Sequence, residues 1–263
     1  MNESLIDTLG DELFAALRNR RTLAPFTERH PDITLDDAYR ISLRFLAQRE
    51  QQGERVIGKK IGVTSKAVQD MLNVHQPDFG FLTDRMQVAD GADVSLAVHR
   101  LIQPRAEGEI AFILAEDLVG PGISADDVLA ATAWVVPCFE IVDSRIHDWK
   151  IRIQDTVADN ASCGVFALGE QRIDPRSLDL AAVRLEMFKN GEPAGSGLGS
   201  AVQGHPCAAV AWLANTLGEL GIPFRKGEVI LSGALAPLVP VGAGDSIHLS
   251  LSGLGEASLR FVP

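Results

Sequence analysis

Apolar residues recur at helical spacing near the start of the chain. Leu5, Ile6, Leu9, Leu13, Phe14 and Leu17 fall three or four apart, which predicts an amphipathic helix over residues 4–20. A second helix is expected from Thr34. Thr34-Leu35-Asp36-Asp37 reads as a capping box with Asp in the Glu position, the stripe Ala38, Ile41, Phe45, Leu46 follows, and Gln51-Gln52-Gly53 closes it. From Arg55 the period shortens. Residues 56–63 alternate between glycines as a strand does, and a short helix is expected over 65–72. Further short, strand-like apolar segments fall at 110–114, 134–141, 164–168, 183–189, 229–231 and 246–251. The exception is 208–220, a helix stopped by Gly221 just before a proline. Many short strands, punctuated by Gly and Pro, predict a β-sandwich or barrel-like core behind a small helical part.

Composition narrows this only modestly. With 263 residues, 46% hydrophobic and 22% charged, the chain is an ordinary globular one, so disorder, collagen and coiled coil are excluded. We divide it into a helical extension, residues 1–53, and one larger domain, residues 54–263. Lys and Arg number 24 against 35 Asp and Glu, a net charge of −11 with no basic run, which argues against nucleic acid or an anionic membrane as partner. Cys138, Cys163 and Cys207 are far apart and form no CxxC, so neither a disulfide framework nor a thiolate zinc site is expected. The acidic N-terminal segment does not read as a signal peptide, and no apolar run is long enough for a membrane helix. The expected location is the cytoplasm.

The chemistry concentrates in a few segments. In Gln103-Pro104-Arg105-Ala106-Glu107-Gly108-Glu109-Ile110, a strand puts Glu107 and Glu109 on one face. Two such carboxylates repel unless a cation lies between them or one is protonated; the alternative is a solvated polar strand edge. Glu140 sits inside the nearly continuous apolar run from Trp134 to Val142, where a charge needs a partner or a metal. Three carboxylates without a thiolate suit Mg²⁺ or Mn²⁺; an ion pair of Glu140 with Arg145 or Arg105 is the structural alternative. Lys59 and Lys60 face opposite ways on a strand, so one at most serves an interior site, and both could instead be solvated on an edge.

Two polar, small-residue segments, 155–164 and 231–235, read as loops able to offer N–H and hydroxyl groups to an anion, although turn roles suit Asp159 and Asn160 as well. The glycine cluster Gly195-Ser196-Gly197-Leu198-Gly199 lacks the strand–turn–helix setting of a dinucleotide site, and Ser232 lacks a GxSxG context. The six histidines show no HxxxH spacing, and only His205 before Pro206 draws notice.

In register, Gly58-Lys59-Lys60-Ile61-Gly62-Val63-Thr64, Gln76-Pro77-Asp78-Phe79-Gly80, Gln103-Pro104-Arg105 with Glu107-x-Glu109, Ser144-Arg145-Ile146-x-Asp148-Trp149, residues 155–162 and Leu231-Ser232-Gly233-Ala234-Leu235 resemble the 2-keto-4-pentenoate (2-hydroxypenta-2,4-dienoate) hydratases of the fumarylacetoacetate hydrolase superfamily. The resemblance covers nearly the whole chain. It implies an α+β protein with a fumarylacetoacetate hydrolase-like mixed β-sandwich or barrel core and a small N-terminal helical part. It also implies a hydro-lyase using Mg²⁺ or Mn²⁺ to hydrate a small 2-hydroxy dienoic acid in aromatic meta-cleavage, working as a homo-oligomer, with a pathway decarboxylase as a further partner. By the same resemblance Glu107, Glu109 and Glu140 are the metal ligands, Lys60 and Asp78 the catalytic pair, and Ser162 and Ser232 the substrate-binding hydroxyls. Gly108 departs from the usual Ala, and Ser232 from a common Thr. The 2-oxo-3-hexenedioate (4-oxalocrotonate) decarboxylase of the same superfamily, or a non-catalytic partner of it, are the other readings.

Overall fold

The computed structural model describes residues 1–263 except Ala67, Val68, Met71 and Leu72. The helix expected over 65–72 contains all four and so lies outside the described residues. The first helix, α1 (Glu3–Asn19), is capped by Asn2, whose side chain accepts from Leu5 N. The capping box at Thr34 opens α3 (Leu35–Gln51): Thr34 Oγ1 accepts from Asp37 N, and the Asp37 carboxylate accepts from Thr34 N. Between them lies one turn, α2 (Phe26–Arg29), which the hydrophobic pattern does not announce.

Segment 155–164 is not the loop its polarity suggests, because α5 (Ile153–Ala158) runs into it. Ile153 and Val157, four apart, bury against Leu9, Leu13, Ile41 and Phe45 of α1 and α3 in one apolar cluster. The buried acid between them is satisfied: Asp155 accepts from Thr27 N at 3.0 Å and Thr27 Oγ1 at 2.7 Å. Fully burying each large apolar side chain contributes roughly 1.5–3 kcal/mol, so the N-terminal helices are bound to the body of the chain by this cluster.

The larger sheet has eight strands: β1 (Val56–Gly62), β2 (Asp78–Thr83), β3 (Gln87–Val88), β5 (Arg105–Leu114), β6 (Thr132–Val142), β7 (Cys163–Leu168), β10 (Val229–Ala234) and β11 (Val239–Pro240). Their order is β2-β1-β10-β5-β6-β7-β3, with β11 beside β5. β1 and β10 run parallel, whereas β10–β5 and β5–β6 are antiparallel. Because β1 lies between β2 and β10, its lysines are not on a solvated edge: Lys59 is 2% and Lys60 3% exposed. The second sheet has five strands in the order β4-β13-β12-β8-β9: β4 (Asp93–Ser95), β8 (Arg184–Lys189), β9 (Glu192–Leu198), β12 (Ser246–Leu251) and β13 (Gly255–Val262). The glycine cluster at 195–199 begins within its terminal strand, β9.

Alternation along β5 sorts its side chains between two environments. Ile110 and Phe112 enter the core shared with Leu185, Leu249, Leu259 and Phe261 of the second sheet. Ala111 packs on the other face with Val136, Cys138 and Leu231, and Glu107 and Glu109 belong to that face by their odd numbers. Among the described residues, α4 (Ala125–Ala131) and α6 (Pro206–Glu219) pack on the body. His205 is the N-cap of α6, its Nδ1 accepting from Cys207 N at 3.1 Å, which gives the histidine before Pro206 a structural role.

Candidate active site

Across the contiguous strands β2, β1, β10, β5 and β6, the chain presents Asp78, Lys60, Ser232, Glu107 with Glu109, and Glu140. Register makes the convergence. Glu107 stands directly opposite Glu140 across the β5–β6 ladder, and directly opposite residues share a face. One carboxylate oxygen from each of Glu107, Glu109 and Glu140 lies within 4.8 Å of the others. Neither alternative partner of Glu140 is realised. Arg145 binds Asp159 at 2.5 Å, and the Arg105 guanidinium stacks on Trp149 at 4.4 Å from the ring centroid. Lys60 Nζ is the cation that faces Glu140 Oε1, at 3.3 Å.

Lys59 points the other way, as alternation requires. It pairs with Glu228 and donates to Pro223 O at 3.3 Å. Lys60 instead donates to Ala161 O at 3.0 Å. That carbonyl belongs to an unusual turn in which Asn160, Ala161 and Ser162 all have positive φ (55°, 48° and 55°). Left-handed backbone costs a non-glycine residue on the order of 1 kcal/mol or more, so surrounding bonds must hold it. Asn160 clamps it to β2, its Oδ1 accepting from Phe81 N at 2.8 Å and its Nδ2 donating to Phe81 O at 2.9 Å. Arg145, fully buried, donates to the Asp159 carboxylate, to Asp159 O and to Cys163 O, fixing the turn from both ends. Gly80 opens the slot: it pairs with Lys60 across the ladder, and a Cβ there would lie 2.5 Å from Asn160 O. The Asp159–Arg145 pair and the Asn160 clamp are thus scaffolding, which polarity alone did not separate from ligand-binding roles.

Electrostatically the cluster is unbalanced. Burial pushes the Glu107 carboxyl up to about 8, with Glu140 adding to the rise. Burial, then Glu140 and Glu107, raise Glu109 well above the usual range. Asp78 is also raised, by burial, against the opposing pull of Lys60. Burial alone would lower Lys60, but Glu140, Asp78 and Glu107 outweigh it and keep the ammonium charged. Among the described residues six buried side-chain polar atoms lack a hydrogen-bond partner, and five belong here: Asp78 Oδ1, Glu109 Oε1, both oxygens of Glu140 and Ser232 Oγ. Buried oxygens of this kind are normally satisfied. Such a concentration, on three carboxylates facing one ammonium, fits an oxygen-coordinated divalent cation. The remaining Glu109 oxygen accepts from Gly233 N at 2.8 Å, which orients that carboxylate. Ser162 stands apart from these contacts: its hydroxyl lies 3.2 Å from Thr156 Oγ1.

The family model for the fumarylacetoacetate (FAA) hydrolase C-terminal region matches residues 49–262. The chain belongs to the fumarylacetoacetate hydrolase family. This member is 69% identical over 261 residues, 99% of both chains, to a 2-hydroxyhexa-2,4-dienoate hydratase of Comamonas testosteroni. It is 60% identical over 222 residues, 84% of this chain and 100% of the other, to a 2-hydroxypent-2,4-dienoate hydratase of Pseudomonas putida. Among solved structures, the 4-oxalocrotonate decarboxylase from Pseudomonas putida G7, complexed with magnesium and adipate, superposes with a TM-score of 0.96 at 35% identity, covering 100% of this fumarylacetoacetate hydrolase family chain and 99% of the other.

Proposed function

We propose that the chain is a divalent-metal hydro-lyase that adds water to 2-hydroxypenta-2,4-dienoate or a close homologue, giving 4-hydroxy-2-oxopentanoate or its homologue, in the catabolism of aromatic compounds. What carries the reading is identity of 69% over 99% of the chain with a dienoate hydratase, against 35% with the decarboxylase. Glu107, Glu109 and Glu140 would hold the cation, Mg²⁺ or Mn²⁺ by donor chemistry. Once bound, it would supply Lewis-acid polarisation of the substrate's 2-oxygen and carboxylate.

The chain's own groups must do the rest. Hydration puts a proton on C5 as the 2-hydroxyl proton leaves, and then adds water across the resulting C3–C4 double bond, its oxygen to C4 and a proton to C3. Lys60 has three N–H donors; Ala161 O takes one and Glu140 faces another, which leaves a third for substrate or water. Asp78 Oδ1 has no partner, and its raised pKa suits it to hold a proton and to release it. Ser232 Oγ, buried and unpaired, is a hydroxyl available to the substrate carboxylate, and Ser162, whose hydroxyl lies beside Thr156 Oγ1, is the second substrate-binding hydroxyl that the resemblance implies. The division into residues 1–53 and 54–263 and a cytoplasmic location, both read from the sequence pattern, and homo-oligomeric assembly and association with a pathway decarboxylase, both implied by the resemblance, complete the proposal. Among the described residues, no helix is long and apolar enough to cross a membrane.

The test is turnover by the purified protein loaded with Mg²⁺. Loss of the diene absorbance of 2-hydroxypenta-2,4-dienoate with formation of 4-hydroxy-2-oxopentanoate is expected, abolished by chelator and restored by metal. Release of CO₂ from 2-oxo-3-hexenedioate without water addition to the dienoate would favour the decarboxylase instead.

A further inference from the structure

A cavity of about 310 Å³ adjoins the candidate site, with Asp78 in its wall. The rest of that wall is mostly apolar: Leu35 and Tyr39 of α3, Val74 from the segment before β2, and Ile153 and Val157 of α5. Its volume lies at the small end of ligand clefts, roughly 300–1,000 Å³. Asp78 links it to the reacting groups, since Asp78 and Lys60 both crowd the position a Cβ would take at Gly62, and Lys60 faces Glu140. His75 and Gln76, both exposed, and the buried Pro77 complete the lining, which among the described residues contains no Lys or Arg.

From this geometry we propose that the cavity is the tail pocket of the substrate, selecting a short uncharged hydrocarbon tail beyond the diene and rejecting a terminal carboxylate. This rests on the hydratase reading for what sits at the metal end. Apolar walls favour each added methyl or methylene by transfer from water. A tail carboxylate would be desolvated next to the Asp78 carboxyl with no Lys or Arg in the wall to receive it, and an unpaired buried charge is rejected far more strongly than a missing methylene. Tyr39 stiffens the wall, its ring stacked on Phe79 at 4.3 Å. The tail pocket is therefore built from α3, α5 and the segment 74–78, and the head site from the sheet.

Two measurements on the Mg²⁺-loaded protein test this. The first is kcat/KM for 2-hydroxypenta-2,4-dienoate, its 5-methyl homologue 2-hydroxyhexa-2,4-dienoate, and the diene acid carrying a terminal carboxylate. The second is calorimetric binding of the unreactive 2-oxopentanoate, 2-oxohexanoate and 2-oxoadipate. We expect the longer alkyl tail to match or exceed the shorter in both series, and the carboxylate tail to fall by about 100-fold or more. Val74→Phe, filling the cavity from a half-buried position, should lower the ratio of hexadienoate to pentadienoate kcat/KM, and of 2-oxohexanoate to 2-oxopentanoate affinity, by about tenfold. Leu35→Phe is the second variant should Val74→Phe not fold. Unchanged ratios in a folded variant, or a carboxylate tail handled as well as an alkyl one, overturn the proposal. Absence of turnover with every dienoate, with the tail preference intact in the 2-oxo acid binding series, would sink the hydratase reading and leave the pocket standing.

Discussion

Replacing Gly80 by alanine should disable Lys60 without touching it. The added Cβ would lie 2.5 Å from Asn160 O, 3.0 Å from its carbonyl carbon and 3.1 Å from its Oδ1. Two of these are backbone atoms, so no side-chain rotation relieves the overlap. The turn must retreat from β2 by something near 1 Å, and the Asn160 bonds to Phe81, at 2.8 and 2.9 Å, stretch or break. At about 1 kcal/mol net per hydrogen bond, with strain added, the fold should lose about 2–3 kcal/mol. The retreat also carries Ala161 O away from Lys60 Nζ, now 3.0 Å distant. Misplacement of a reacting group by 1 Å can reduce turnover by about 10²-fold. Three readouts separate the effects: chemical denaturation for stability, steady-state kcat for the lysine, and calorimetric Mg²⁺ titration for the carboxylates, which Gly80 does not touch. We expect kcat to fall 10- to 100-fold with metal affinity within about twofold of the parent. A variant that loses stability yet keeps the parent kcat would refute the link between the turn and Lys60.

Gly62→Ala presses a methyl on Asp78 Oδ1 and Lys60 Nζ, so kcat should drop by about 10²-fold, and in a double-mutant cycle with Asp78→Asn the two losses should fail to add. Arg145→Met leaves Asp159 buried without its cation and should cost about 3–5 kcal/mol in urea unfolding; a loss below about 1 kcal/mol would mean the turn has other support. The Met1 amino group first, then the Thr34 hydroxyl and N–H, hold the Asp37 carboxyl down at about 2, against an ordinary 3.8. A depressed acid stabilises the fold above its unfolded pKa and ceases to as pH falls through the folded one. Asp37→Asn should therefore cost about 1 kcal/mol at pH 7, after allowance for solvent screening, with the gap to the parent closing between pH 4 and 2.

The legible parts of the site were those written in local periodicity. Glu107 and Glu109 share a face because they are two apart on a strand, and Glu140 betrays itself as a charge inside an apolar run. The opposition of Lys59 and Lys60 follows from the same alternation. Strand β2 was hidden because all six of its residues are buried, which erases the polar–apolar alternation that marks a strand. Strand β9, rich in glycine and mostly exposed, is held by its ladder with β8 rather than by propensity. Helix α5 reads as loop in the sequence because the buried acid Asp155 and the small residues of 158–164 look like turn chemistry, whereas Thr27, far away in sequence, satisfies Asp155. The cavity wall was out of reach for a similar reason, since it joins segments 35–39, 74–78 and 153–157, which no local pattern connects.

Leu35, Val74, Ile153 and Val157 belong to the apolar cluster of the N-terminal helices, which Tyr39 joins to the main core, and this cluster is separate from the one beside the carboxylates. The two ends of one small substrate would thus be read by two packing units. A substitution that reshapes the helical cluster leaves the ladder register of Glu107 opposite Glu140 untouched. Natural drift, or a mutagenesis library confined to those helices, can then retune which tail is accepted while the reaction at the head is inherited unchanged.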